Sequence, residues 1–444
     1  MNHYHDDDDA ALQRVKPSRS VHRSMVVIVV LAVLAAIVTA ALLWPRPEPA
    51  PMAPGQTPSG SSPISASGPT QSGSEADGSS SVELVTAVVT SVRDGGQTPD
   101  EGFGFVEETD PRRSAVIEAR VPSQDDLTVT VIAQPAVADA GVSEGDRIKV
   151  YRHTEVSEDG VGADKRTTYA FADFDRTGVT LFLLCAFGIA LLAVAGFRGL
   201  RAMLGLAGSG VLLWAFTFPA LLSGSSPVLV ALSTGTLILT AVLYLTHGVS
   251  LRTTTALLGT LAGMVLAAAV IAAVGPLAHL TGITSEESVL LWGSAPHMSM
   301  SQMVVCAVII TAIGVLNDVT ITQASAVWEM RASSARATAR ELFTRGMRVG
   351  RDHVSSSVYT VAFAVVGAGL GTYLMLRAYD RPMSQVFPLE QFSGEIITTV
   401  IGLGAVLLAM PLTTLLAVTV VSPAAGAQIT APATPVELEN QEDS

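Results

Sequence analysis

Cysteine is almost absent: the 444-residue chain has two, Cys185 and Cys306, and both stand within apolar runs. The one large hydrophilic segment has none, which excludes a disulfide framework and a cysteine-based metal site there. Charge is sparse too, with 15% charged residues against 49% hydrophobic ones. The formal charge of -13 resides in the tails and the hydrophilic segment, so it says little about partners. Lysine is nearly missing while arginine, alanine, valine and glycine abound, which is the composition of a GC-rich bacterial genome. No GxxxxGK[ST] loop or HExxH helix occurs, and the one GxSxG match, Gly141 to Gly145, falls in a turn between two strand-like stretches rather than at a strand-to-helix elbow. An ATP-driven pump, a zincin protease and a typical serine hydrolase therefore lack their residues or their setting, and no enzymatic activity is expected.

Long apolar runs dominate what is present. Met25 to Trp44 is long enough to cross a bilayer, at about 30 Å of helix. Arg14, Lys16, Arg19 and Arg23 precede it, and its length exceeds the ~7–15 residues of a signal-peptide core, so it reads as an uncleaved anchor. Seven further spans are expected near 178–195, 203–222, 228–245, 253–274, 298–327, 354–376 and 395–421. The predicted organisation is thus a cytoplasmic disordered tail over 1–24, the anchor over 25–44, a Pro/Ser/Gly linker over 45–81, a β-domain over 82–175, a seven-helix membrane core over 178–421 and an acidic cytoplasmic tail over 422–444. The fold class is an α-helical polytopic membrane protein of about 8 transmembrane helices, with an all-β domain between the first two.

Within 82–174 the stretches VELVTAVVTSV, SAVIEARV, LTVTVIAQPAV, DRIKVYRHTE and TTYAFADF alternate β-branched and polar residues between Gly, Pro and Asp turns. Five short strands in that length suggest a small OB-like barrel. Its acidic character argues against nucleic acid as a partner. Arg198, Arg201, Arg252 and the six arginines from Arg331 to Arg351 fall inside if the N-terminus does, while the loop 276–297 has two glutamates and no Lys or Arg. Only Arg377 and Arg381 violate the rule. Both termini are therefore expected in the cytoplasm, with the β-domain outside a bacterial cytoplasmic membrane.

The stretch GVLNDVTITQASAVWE, 314–329, writes polar residues onto an apolar helix. Asp318, Thr322, Ser325 and Glu329 are spaced 4, 3 and 4 apart and share one face, with Asn317 beside them; Thr320 and Gln323 point elsewhere and suit helix packing. Counted from Met298, Asp318 falls about 30 Å along the helix, at the cytoplasmic headgroups. If Trp328 instead marks the inner aromatic belt, Asp318 is near the midplane, where a carboxylate costs about 2.5–3.5 kcal/mol on insertion scales. It then either packs through hydrogen bonds or lines a polar path. Arg351 and Asp352 in VGRDHV are candidates for an inner gate or a plain interfacial anchor, and Asp173, Asp175 and Arg176 in ADFDRTG for the junction between β-domain and span. His279, Glu286, Glu287 and His297, and His3 and His5 with the aspartates after them, have no recognised ligand spacing, so neither a metal nor another cofactor is expected.

YAFADFDRTGVTLFLL, GLRAMLGL, FPALLSGSSP, ALLGTLAGM, LTGITSEES, IGVLNDVTITQASAVWEM and ELFTRGMRVGRDHV, in that order, resemble YibE/F-like bacterial membrane proteins. The resemblance runs from about Val82 to Val421 and is most specific around Asp318 and in Gly350-Arg351-Asp352; Thr322 and Tyr359 depart from the residues expected there. It implies an exported β-domain joined to a polytopic core, and no activity. Two functions stay open: a permease or exporter whose path is lined by the Asp318 face, or a non-transporting scaffold that presents the β-domain. The partners implied are the bilayer, a small solute or ion, an envelope protein meeting residues 82–175, and further copies of the chain.

Overall fold

The computed structural model describes residues 19–45, 81–94, 115–124, 126–134, 137, 139–157, 164–334, 336–378 and 382–422. The expected N-terminal tail up to residue 18, the linker over 46–80, the C-terminal tail from 423 and the His3/His5 segment lie outside them. Two compact units fall within Pro49–Val194 and within Met1–Glu48 plus Ala195–Ser444.

The first unit holds a five-stranded antiparallel sheet of β1 (Ser81–Asp94), β2 (Ala115–Val121), β3 (Leu127–Ala133), β4 (Arg147–Ser157) and β5 (Asp164–Phe174). Each strand falls on one of the five alternating stretches. The order is β3-β2-β1-β4-β5. The long β1 pairs with β4 through Val88 and with β2 from there on, around an irregularity between Val89 and Ser91. Such a bulge adds twist and lets one strand serve two neighbours. The sheet curls, so that β3 and β5 approach each other. Val85, Ala87 and Val89 of β1 face inward with Ile117, Ala119, Val131, Ile148 and Val150, the one-sided burial that a two-residue period dictates.

The second unit is helical. Its elements are α1 (Arg19–Leu42), the later part of α2 (Thr177–Leu212), a π-turn over Leu213–Thr217, α3 (Phe218–Leu222), α4 (Pro227–His247), α5 (Leu251–Leu277), α6 (Glu286–Ser294), α7 (Met300–Ser333), α8 (Ala339–Ala368), α9 (Leu370–Ala378), α10 (Met383–Val386) and α11 (Glu390–Val421). Helices α5, α7 and α11 pack mutually; α4 and α8 add to this trio, and α1 packs on α4 and α5.

Among the described residues six helices are long and apolar enough to cross a membrane, or up to seven if the bent pair α8 and α9, 59° apart, is one span. The expected division at 196–202 is not a loop: helix continues through Arg198 and Arg201, and Thr177–Leu222 passes as one 46-residue apolar stretch. Arginine is a good helix former and does not end a helix by being charged. What interrupts it is Gly196, at φ 56°, a conformation open to glycine alone at little cost. Helix α8 likewise starts fifteen residues ahead of its apolar part, behind a capping box between Thr338 and Glu341.

The bundle closes through small residues. A Cβ on Gly259 or Gly263 of α5 would collide with Thr413 of α11 or Leu316 of α7, and one on Gly235 of α4 with Met264. Close approach of this kind is how helices gain packing where lipid gives no hydrophobic drive.

Candidate functional site

Helix α7 sits against α4, α5, α8 and α11. At 34 residues it is about 51 Å long. Leu316, Val319, Thr320, Gln323 and Val327 are buried on its packed side. The Thr320 and Thr260 hydroxyls, both fully buried, meet at 2.6 Å. The Gln323 amide donates to Gly346 O and to Thr414 Oγ1, each at 2.7 Å. These two polar residues therefore serve packing.

Asp318 and Glu329 lie on the other side and are exposed, with Thr322 and Ser325 half-buried between them. Asp318 has 67% of its side chain outside the packed protein and meets His353 of α8, Nε2 to Oδ2, at 3.3 Å. This is ion-pair range without hydrogen-bond alignment, and Nε2 itself is enclosed. The buried Asn317 Oδ1 makes no hydrogen bond among the described residues, while its carbonyl accepts from Thr320. Trp328 is 5% exposed and packs with Met25, Leu342, Ala417 and Val421, so packing rather than a lipid interface accounts for its position.

Arg351 and Asp352 are exposed on α8. At about 100° per residue Arg351 points some 160° away from His353, so the helix that brings His353 to Asp318 turns Arg351 away. Sequence reasoning passed over His353 although it stands inside VGRDHV. The signal was there: an imidazole two residues past the arginine, on the opposite face.

A cavity of ≈ 310 Å³ opens beside this stripe. Val304, Val308, Thr311 and Val315 of α7 form one wall, Val361 and Val365 of α8 a second, and Glu395, Thr398, Thr399 and Gly402 of α11 a third. Residues 304, 308, 311, 315, 318, 322, 325 and 329 step by four and three along α7, so cavity wall and polar stripe are one continuous face. From Val315 to Asp318 is about 4.5 Å of rise. At the mouth, the Glu390 carboxylate accepts from Thr281 N, Thr281 Oγ1 and Gly282 N at 2.6–2.8 Å, which ties the loop after α5 to the start of α11.

The junction residues form a compact cluster in the first unit. Asp173 accepts twice from Arg176 at 2.7 Å, and the guanidinium also lies over Phe174. Asp175 Oδ1 accepts from the Thr177 hydroxyl and amide, capping α2, and Oδ2 lies 3.5 Å from Arg147 and 3.8 Å from Lys149. The hydrogen bonds from Thr177, then the two cations, hold the Asp175 carboxyl below its usual range; the bond from Arg176, then that from the Phe174 amide, does so for Asp173.

Among the described residues no group of three or more His, Cys, Asp or Glu side chains converges as a metal site. Cys185 is exposed and Cys306 buried, both as free thiols. A family model described as YibE/F-like protein matches residues 183–423, which takes in the cavity, Asp318 and His353 and leaves the β-domain out. No curated protein and no solved structure matches the chain.

Proposed function

We propose, for a chain that belongs to the YibE/F-like protein family, that the helical unit is a permease or exporter whose path follows the outward face of α7. One observation carries this reading: the α7 face that walls the cavity as far as Val315 bears Asp318, with its partner His353, at the next step along the helix. A carboxyl group near the middle of a span that faced lipid would be costly. One on the same helix face as a cavity, and paired with an imidazole, has a reason to be there.

The membrane is a bacterial cytoplasmic one, with both termini inside. Gly196 separates 177–195 from 197–222, each long enough to span, which brings the count to eight when α8 and α9 form one crossing. The β-unit lies outside as an OB-type barrel: β1 serving both β2 and β4, and β3 nearing β5, is the connectivity such a barrel uses. It meets solute or an envelope partner there, and the core works without an enzymatic step.

The test needs no substrate. In a chain whose two cysteines are replaced, single cysteines at Thr311, Val315 and Thr322 are treated with a small hydrophilic thiol reagent. Reaction at all three, absent at Val319 on the packed side, is expected. Protection at Val315 and Thr322 would discard the path and leave the scaffold.

A further inference from the structure

The ionisable lining of the cavity has one sign. Among the described residues Glu390 and Glu395 reach it, and no Lys, Arg or His does. Glu390 is committed to the loop through its three hydrogen bonds. Among the described residues the Glu395 carboxylate forms no hydrogen bond or ion pair, and it shares the space with the hydroxyl-bearing Thr311 and Thr399. Thr284, Gln391 and Thr398 add polar groups, Val304, Val308 and Val365 supply an aliphatic surface, and among the described residues no aromatic ring lines it.

We propose that this cavity binds a small organic ammonium ion with an alkyl portion, held by Glu395. An anion would meet two carboxylates and no cation. A divalent metal would want several oxygen ligands converging, and among the described residues no such cluster is assembled. A quaternary ammonium is best recognised by an aromatic cage, which this cavity lacks. A primary or secondary ammonium instead brings N–H donors that threonine hydroxyls accept, while its alkyl part covers the valines. At ≈ 310 Å³ the space stands at the low end of ligand pockets, which favours a small molecule. A free amine and a phosphatidylethanolamine headgroup both carry such an ammonium; the chemistry is shared. Passage of the ligand rests on the transport reading, whereas its binding does not.

The experiment uses the full chain in nanodiscs of phosphatidylglycerol, with n-butylammonium as probe and n-butanol and butyrate as neutral and anionic isosteres. Saturation-transfer NMR should show binding of the ammonium alone. Glu395→Gln should weaken it at least about tenfold. Gly402→Leu, at a position where an added Cβ meets nothing within 4 Å, should fill the cavity and remove binding from a chain that still elutes as wild type. Displacement of the probe by added phosphatidylethanolamine would assign the site to the headgroup, and indifference to that lipid would assign it to a free amine. Equal signals from the three probes, or binding unchanged in both variants, would overturn the proposal. Ammonium binding in a chain whose stripe is closed to thiol reagents keeps this site and drops transport; an open stripe without ammonium binding does the reverse.

Discussion

The carbonyl oxygen of Gly346 on α8 accepts a 2.7 Å hydrogen bond from the side-chain amide of Gln323 on α7, and both residues are buried. Helix α8 can come this close because its facing residues are Gly346 and, one turn on, Gly350. A Cβ on Gly350 would stand 2.3 Å from Met410 Sδ and 2.8 Å from Gln323 Oε1. Gly350→Leu should therefore lower stability by about 1–3 kcal/mol or more, the usual cost of overpacking. Gly314→Ala, where nothing lies within 4 Å of the new Cβ, should not. Thermal unfolding in detergent, read by the fraction of monodisperse protein left, compares them. Equal midpoints for the two variants would refute the contact.

The arginine asymmetry predicts sidedness. Single cysteines near Gly160, Glu286 and Ser384 should react with an impermeant thiol reagent in intact cells, and cysteines near Gly199, Ser333 and Glu437 should not. Labelling at Ser333 would invert the arrangement, because the arginines from Arg331 to Arg351 carry the strongest signal in the chain.

How much could be read beforehand follows from what each pattern encodes. Strands were legible to within a few residues because a period of two, bounded by turn residues, has few competing readings. Span limits were less so. Hydropathy marks where a helix is apolar and not where its hydrogen bonding stops, so the start of α8 was misdrawn, and the division expected between 195 and 203 falls at Gly196 as a break in the helix rather than as a loop. The packing roles of Thr320 and Gln323 followed from helical spacing. Their partners Thr260, Gly346 and Thr414 did not, since contact between helices distant in sequence leaves no local trace. The same applies to His353: spacing along α7 defined the Asp318 stripe, but only the approach of α8 supplied its partner.

The junction at Asp175 should respond to acid. Its carboxyl is depressed in the folded chain, so the stability it contributes is fully present above the unfolded value of about 3.8 and is lost as pH falls below that through the folded value. A fragment of residues 82–178 should be soluble, predominantly β by circular dichroism and indifferent to reducing agent. Its unfolding midpoint should fall on acidification below about pH 4, and Asp175→Asn should remove part of that dependence. An acid response identical in the variant would take Asp175 out of the junction.

The decisive substitutions fall on Asp318 and His353. Asp318→Asn keeps shape and most hydrogen bonding, since an amide replaces carboxylate acceptors at modest cost. It removes the carboxylate oxygen that lies opposite Nε2. If the α7 face is a path, Asp318→Asn and His353→Gln should each leave the protein inserted at a normal level while abolishing flux. The double variant should be no worse than either alone, because residues that act as a pair are not additive. Thr322→Val, on the same face, should reduce flux in part. Thr320→Val serves as the contrast: it breaks the contact with Thr260 and should cost about 0.5–1.5 kcal/mol of stability, yet leave flux per folded molecule unchanged. Normal levels and unaltered flux in Asp318→Asn would mean that the carboxyl does no more than accompany His353, and the helical unit would then stand as a scaffold for the β-domain.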